Sequence, residues 1–292
     1  MNVLVVGASG LVGNSVCKEF LSNNFFVTGL VYKASALIDN INYKEISINL
    51  ISESLSIISN KFDLVIHCAA IIPNGILSEE ELFINNQSID MKVFLFCEMH
   101  NIRLINFSTV FFYNKEYTGA IDESCSVRKD LSGYYLSKLT SENYLINSNI
   151  TSTTFRLSSP YGDLGKQENV MKFFEARIKN NLPITLYGKG ERCQNFIYVE
   201  DISKACSLAF IKNITGIYNL SYKKNYSMYE LALIIKKHYK STSEFIYDSE
   251  KNDLQLCSDR HQRNADLKFL LKKRHSSGSD HHSKNRFFKS KF

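Results

Sequence analysis

Tyr134 and Lys138 stand four residues apart in GYYLSKLTSE, a spacing that puts both side chains on one face of a helix. Such a pair can do acid–base work on an alcohol. A tyrosine that exchanges a proton near neutrality must have its ordinary pKa of about 10 brought toward 7, roughly 4 kcal/mol of differential stabilisation. A neighbouring ammonium favours the phenolate and supplies part of it. Tyr135 lacks this partner, because Leu139 stands four positions after it. The spacing alone is weak evidence, since Tyr247 and Lys251 repeat it in a polar region. Context separates the two. Thr109 lies 25 residues before Tyr134, at the end of the apolar run LINFST.

A second group of residues suits an anion. Gly7-Ala8-Ser9-Gly10-Leu11-Val12-Gly13 directly follows the run NVLVVG and opens a helical pattern. Gly7 allows the tight turn, Gly10 lets the backbone approach a diphosphate, and Gly13 lets helix and strand pack closely. The helix N-terminus then offers its N–H groups to the phosphates of a dinucleotide.

The elements that must position these groups are legible as a pattern. Residues 2–7, 25–32, 63–70 and 103–108 are short apolar runs, and helical stretches are predicted at 11–22, near 78–99 and over 133–147. Further strands are predicted at 151–156 and 216–221. Strands alternating with helices imply βαβ units and a parallel sheet.

Composition bounds the class. Of 292 residues, 44% are hydrophobic and 22% charged, which fits a globular chain rather than a disordered one. The net charge of +6 resides in the last 25 residues, where six Lys and two Arg face one Asp; the remainder holds 27 basic and 28 acidic residues. That argues against a nucleic-acid-binding face on the body. Seven dispersed cysteines without a CxxC pair fit a reducing cytoplasm and no metal site. The start has no leader pattern, and no run approaches the ~20 apolar residues of a membrane span. Residues 274–292 have no periodicity and read as a basic, disordered tail.

The GxxGxxG loop, Thr109 and the Tyr134/Lys138 pair together resemble the extended short-chain dehydrogenase/reductases, in particular the NAD-dependent epimerase/dehydratase family. The resemblance spans about residues 1–273. It implies a Rossmann-type doubly wound α/β fold with a smaller C-terminal substrate lobe: a nucleotide-binding domain at 1–158, with contributions from about 194–222, and a substrate lobe at 159–273. It implies Tyr134 as acid/base, Lys138 as its electrostatic partner and holder of the nicotinamide ribose, Thr109 as carbonyl polariser and Ser108 as support. NAD or NADP would meet Gly7, Ser9, Gly10, Leu11, Val12 and Gly13, then Asn49 and Leu50 beside the adenine. Cys68, Ala69 and Ala70 would line it, with Asn86 as a structural residue on the next helix.

Departures from the family pattern carry expectations of their own. Val31 stands where an acidic residue usually meets the adenosine ribose, and Lys33 nearby suits a 2′-phosphate, which favours NADPH. Val110 and Phe111 follow Thr109 where 4,6-dehydratases place an acid and a base, so dehydration is disfavoured. Ser159 replaces the usual Asn of R-x-x-N-x-Y-G-P. Gln194 stands where many relatives place an Arg on the substrate diphosphate, leaving Arg192 or Arg263 for that role. The resemblance thus implies an epimerase of a nucleotide-linked sugar acting through a transient ketone. The alternatives are an NADPH-dependent 4-ketoreductase, or a non-catalytic NAD(P)-binding relative whose lobe lacks its closing helix. A homodimer is allowed.

Overall fold

The computed structural model describes residues 1–58, 61–113, 121–162 and 169–249. Two compact units are built from the described parts of 1–114, 122–165 and 197–220, and of 115–121, 166–196 and 221–292.

The first unit is a seven-stranded sheet. Its strands are β1 (Asn2–Val6), β2 (Phe26–Val31), β3 (Tyr43–Ser47), β4 (Leu64–His67), β5 (Arg103–Thr109), β6 (Ser152–Leu157) and, after three strands placed below, β10 (Gly216–Leu220). The spatial order is β10-β6-β5-β4-β1-β2-β3, with every neighbouring pair parallel. The order reverses between β1 and β4, and ligands of such sheets bind outside the strand ends at that switch. Helix α1 (Leu11–Ser22) packs against α5 (Val199–Ile211), and α2 (Glu79–His100) packs against α3 (Gly133–Asn147). Covering both faces explains why β1 and β4 are uninterrupted apolar runs rather than alternating ones. The predicted doubly wound α/β fold is therefore the observed one, and α1 and α3 occupy the predicted spans. β3 has no counterpart among the predicted strands. It lies at the sheet edge with a half-exposed mixture of residues, YKEIS, that carries no apolar run.

Local chemistry fixes the helix ends. Ser78 accepts from the Glu81 N–H while Glu81 accepts from the Ser78 N–H, a reciprocal capping box that starts α2. Asn101, in the left-handed conformation, ends it. The core beneath α2 includes Leu4, Val65, Val93, Phe94 and Leu104.

A short strand β7 (Ser159–Tyr161) also falls in the first unit. The second unit contains α4 (Val170–Lys179), β8 (Ile184–Tyr187), the start of β9 (Cys193–Tyr198), β11 (Asn225–Ser227), α6 (Met228–Tyr239) and β12 (Phe245–Asp248). β12 pairs parallel with β8, β11 pairs antiparallel with β9, and α4 packs on α6. Ser227 and Glu230 form a second capping box at the start of α6. Cys17, Cys68, Cys97, Cys125 and Cys206 are free thiols, whereas Cys193 is disulfide-bonded, a departure from an all-thiol chain. Among the described residues no group of three or more acidic, His or Cys side chains forms a metal site, and no helix is long and apolar enough to cross a membrane. The predicted tail at 274–292 lies outside the described residues.

Candidate active site

The glycine loop is shaped by contacts within the fold. Gly7 has φ +84°, and a Cβ there would come within 2.8 Å of the Ala69 backbone. A Cβ on Gly13 would be 2.1 Å from the Gly7 carbonyl oxygen. Both positions therefore exclude a side chain for reasons internal to the chain. Gly10 differs: it is exposed, and its Cβ would meet only the Gly7 carbonyl, at 3.3 Å. It is also the N-cap of α1 and supplies no side-chain cap, so the first turn presents backbone N–H groups and the positive end of the helix. The Gly7 and Ala8 N–H groups are spent on the Leu30 carbonyl, at 2.9 Å each. What remains fits a dinucleotide diphosphate. Ser9 and Val12 are half-buried beside it, and Leu11 is buried.

The residues expected around the adenosine divide. Val31 is buried, and Lys33 sits in the left-handed conformation with its ammonium 4.9 Å from the Tyr32 ring centre. A carboxylate overlooked in the sequence reaches this loop from the neighbouring strand. Glu45 of β3 accepts from the Ala36 N–H at 2.9 Å and from the Tyr43 hydroxyl at 3.1 Å. Burial pushes its carboxyl up, but the Ala36 N–H, Ser35 and Tyr43 more than reverse that and hold it below its ordinary range. Asn49 turns its side-chain oxygen onto the Ile51 N–H, 3.1 Å, and Leu50 is part of the core. Cys68, Ala69 and Ala70 follow β4, half-buried, with Ala69 against Gly7. Asn86 is fully buried: its carbonyl accepts from the Ile71 N–H, and its amide donates to the Ile71 and Leu82 carbonyls at 2.8–3.0 Å, clamping the segment that leaves β4.

β5 ends at Thr109, which is buried and accepts from the Phe111 N–H at 3.1 Å. Helix α3, packed on β5, carries Tyr134, half-buried, with the Lys138 ammonium 5.9 Å from its ring centre. Lys138 is in turn buried against a carboxylate that sequence spacing did not reveal. Asp90 of α2 lies 3.4 Å from the Lys138 ammonium, accepts from the Ser141 hydroxyl at 2.6 Å and lies 2.7 Å from His67 Nε2. An ionised Asp90 can only accept, so Nε2 carries the proton of that bond. Burial would raise the Asp90 carboxyl, yet Lys138, His67 and Ser141 together bring it down to about 2.

This cluster belongs to a polar layer between the sheet and the α2/α3 pair. The register places His67, Asn106 and Thr154 side by side on β4, β5 and β6, and Ser108, Arg156 and Asn219 in the next row. Arg156 meets Glu142 of α3 through two nitrogens, at 2.7–3.2 Å, and also donates to the Tyr113 hydroxyl at 2.6 Å. His67 Nδ1, the Asn106 amide and the Ser108 hydroxyl have no hydrogen-bond partner among the described residues.

Without a cofactor the tyrosine is not poised near neutrality. Burial raises the Tyr134 phenol above its ordinary value; Lys138 opposes this, while Asp90 and Tyr135 add to the rise. The ammonium acts in the expected direction, toward the phenolate, but supplies only part of what is needed, and desolvation outweighs it.

The remaining expected residues lie apart in the chain. Ser159 is in β7 of the first unit. Arg192 is in the second unit, its guanidinium donating to the Gln194 side-chain oxygen at 3.3 Å. Arg263 lies outside the described residues.

Residues 3–221, most of the chain and most of the elements just described, match the family described as NAD dependent epimerase/dehydratase. The chain belongs to that family. A protein provisionally named UDP-glucose 4-epimerase from Methanocaldococcus jannaschii is 26% identical over 267 residues, covering 85% of this chain and 86% of that protein. Among solved structures, the UDP-N-acetylglucosamine 4-epimerase of Methanobrevibacter ruminantium M1 superposes with a TM-score of 0.77 at 23% identity, covering 91% of this chain and 90% of that one. The UDP-glucuronic acid 4-epimerase of Bacillus cereus, solved with UDP-glucuronic acid and NAD, gives 0.78 at 21%, covering 93% of each chain. At these identities the superpositions speak for the fold. As a member of this family the protein is an enzyme of the NAD(P)-dependent epimerase/dehydratase class.

Proposed function

We propose that the protein inverts a hydroxyl-bearing carbon of a UDP-linked sugar, with Tyr134 as acid/base, Lys138 as its charge partner and Thr109 as hydrogen-bond donor to the reacting oxygen. The observation that carries this reading is the junction in the first unit, where α3, bearing Tyr134 and Lys138, packs on β5 as it ends at Thr109. Tyr134 would take the proton of the sugar hydroxyl as the carbon is oxidised, and return it to the same oxygen after the ketone has turned over its other face. A bound nicotinamide supplies the hydride acceptor and donor, and its oxidised ring adds positive charge near the phenol. Thr109 donates to the carbonyl oxygen as negative charge develops there. The first unit, through the Gly7–Gly13 loop, Cys68, Ala69 and Ala70, would hold the dinucleotide; the second, with Arg192, would receive the nucleotide-sugar. Val110 and Phe111 can move no proton, which supports epimerisation over dehydration.

A reductase reading is favoured by one observation, the exposed Lys33 after a strand that ends in Val31. Mass identification of the nucleotide released from the purified protein separates the two. Stoichiometric NAD, with conversion of a UDP-sugar to its epimer followed by proton NMR, supports the epimerase. An empty protein that prefers NADPH and consumes it stoichiometrically with a ketosugar supports the reductase.

Two coarser features complete the proposal. Ile84, Leu95 and Met99 are exposed on one side of α2, an apolar face suited to pairing with a second copy; sedimentation against concentration tests that dimer. The cytoplasm is the proposed location, supported by the five free thiols among the described residues against the one disulfide-bonded Cys193, and tested by fractionation.

A further inference from the structure

Asp90 is a charged group of the layer that the roles above do not use and that touches one of the residues they do, Lys138. It is completely buried, it lies 48 positions from Lys138 in sequence, and all its partners are named: His67 from β4, Lys138 and Ser141 from α3. A buried carboxylate is costly, and a buried ion pair gains little over apolar side chains of the same volume. Its placement nevertheless has a direct electrostatic consequence. Lys138 and Ser141 both address the same oxygen, Oδ2, while His67 holds the other. The carboxylate is therefore fixed at both ends, and the Lys138 ammonium it holds at 3.4 Å stands over the Tyr134 ring, 5.9 Å from its centre.

We infer that Asp90 is a positioning residue that acts through Lys138: it anchors the ammonium against the face of Tyr134 and neutralises part of its charge, so that the acidity of Tyr134 is set by the pair. The inference rests on the proposed roles of Tyr134 and Lys138. The groups around the phenol are Lys138 and Tyr135 on its own helix and Asp90 on α2, with Cys68 after β4 facing Lys138 and His67 of β4 facing Asp90. Within this set Lys138 is the cation, and Asp90 offsets it. A neutral Asp90–Lys138 pair leaves the phenol protonated by default, so its ionisation follows whatever further positive charge is bound nearby. That is the behaviour an acid/base group needs if it must give a proton in one half of a turnover and take one in the other.

The test reads Tyr134 itself. Tyrosinate absorbance is titrated in the cofactor-free protein, and the same titration of its Tyr134→Phe counterpart is subtracted. Asp90→Asn keeps the shape and removes the charge, so the Tyr134 midpoint is expected to fall by a pH unit or more. Ser141→Ala leaves the charge but removes a donor from Oδ2. The ammonium is then drawn closer, and the midpoint is expected to rise by a few tenths. An unmoved midpoint in folded Asp90→Asn overturns the inference. If that variant does not fold by circular dichroism, an unmoved or lowered midpoint in Ser141→Ala overturns it instead. Undiminished turnover in Tyr134→Phe would remove the catalytic reading while leaving the titration result standing, so the two failures are distinguishable.

Discussion

Helix α3 carries two buried ion pairs one turn apart, and they are built differently. Glu142 meets Arg156 through two nitrogens, and that guanidinium also reaches the Tyr113 hydroxyl and the Glu123 carbonyl. Tyr113 continues to Asn219 at 2.7 Å, and Glu123 accepts from the Asn219 N–H, so the cluster ties α3, β6, β10 and the segment after β5 together. Lys138 makes a single, longer contact with Asp90 at 3.4 Å and stands over the ring of a half-buried tyrosine, 5.9 Å from its centre. A planar fork fixed at several points is a structural joint, whereas a compact ammonium between a carboxylate and a phenol is adjustable. The contrast assigns Arg156 and Glu142 to stability and Lys138 to chemistry.

The sharpest way to break that contrast is to measure activity and stability on both sides of it. Tyr134→Phe is expected to lower turnover by about 10²–10⁴-fold, the range of a lost general acid/base, with an unchanged melting temperature and cofactor content. Glu142→Gln should do the reverse in origin. It leaves Arg156 buried without its counter-charge, at an expected cost of about 3–5 kcal/mol, seen as a lowered denaturation midpoint before any assay is run. A stable but inactive Glu142→Gln would dissolve the distinction. Next in size is Gly13→Ala, whose new methyl must displace the Gly7 carbonyl, so stability and cofactor binding should both fall; Gly10→Ala, with only a 3.3 Å neighbour in the fold, should spare the melting temperature and weaken cofactor binding alone.

The acid limb of stability separates the two pairs in another way. The Asp90 carboxyl is depressed on folding from its ordinary 3.8 to about 2. Its ionised form therefore contributes stability that is present above pH 4 and is lost as pH falls through about 2. Acid unfolding of the Asp90→Asn variant should be shallower across that window than that of the native chain, as followed by circular dichroism. Smallest of all is Lys33→Ala. An exposed residue stacked on its neighbour is worth within about 0.5 kcal/mol of stability, so any change in the NADPH/NADH preference would be read without a folding penalty.

How much of this was legible beforehand depended on whether the signal was local. The glycine loop was, because its residues are contiguous and lie between an apolar run and a helical pattern. The helix carrying Tyr134 and Lys138 was legible for the same reason. Asn49 shows the limit of motif matching: its position follows the pattern, while its side-chain oxygen is engaged in the turn with Ile51. Glu45 escaped notice because its strand is a short edge strand of mixed polarity, and its link to Ala36 depends on where the loop after β2 returns. Elements α4, β8 and β12 are short and no motif marks them, while α6 carried a single local signal, the capping-box spacing of Ser227 and Glu230.

By itself the sequence determined the alternating α/β order, the diphosphate loop and the tyrosine–lysine face, since each follows from backbone periodicity and nearest-neighbour spacing. The tertiary structure alone decided what stands around them. Asp90 and Lys138 meet because α2 and α3 pack side by side over β4 and β5, and His67, Asn106 and Thr154 align because three strands share a register. Charge in a low-dielectric layer is governed by such neighbours, so the acidity of Tyr134 is a property of the packed sheet and helices rather than of the motif that contains it.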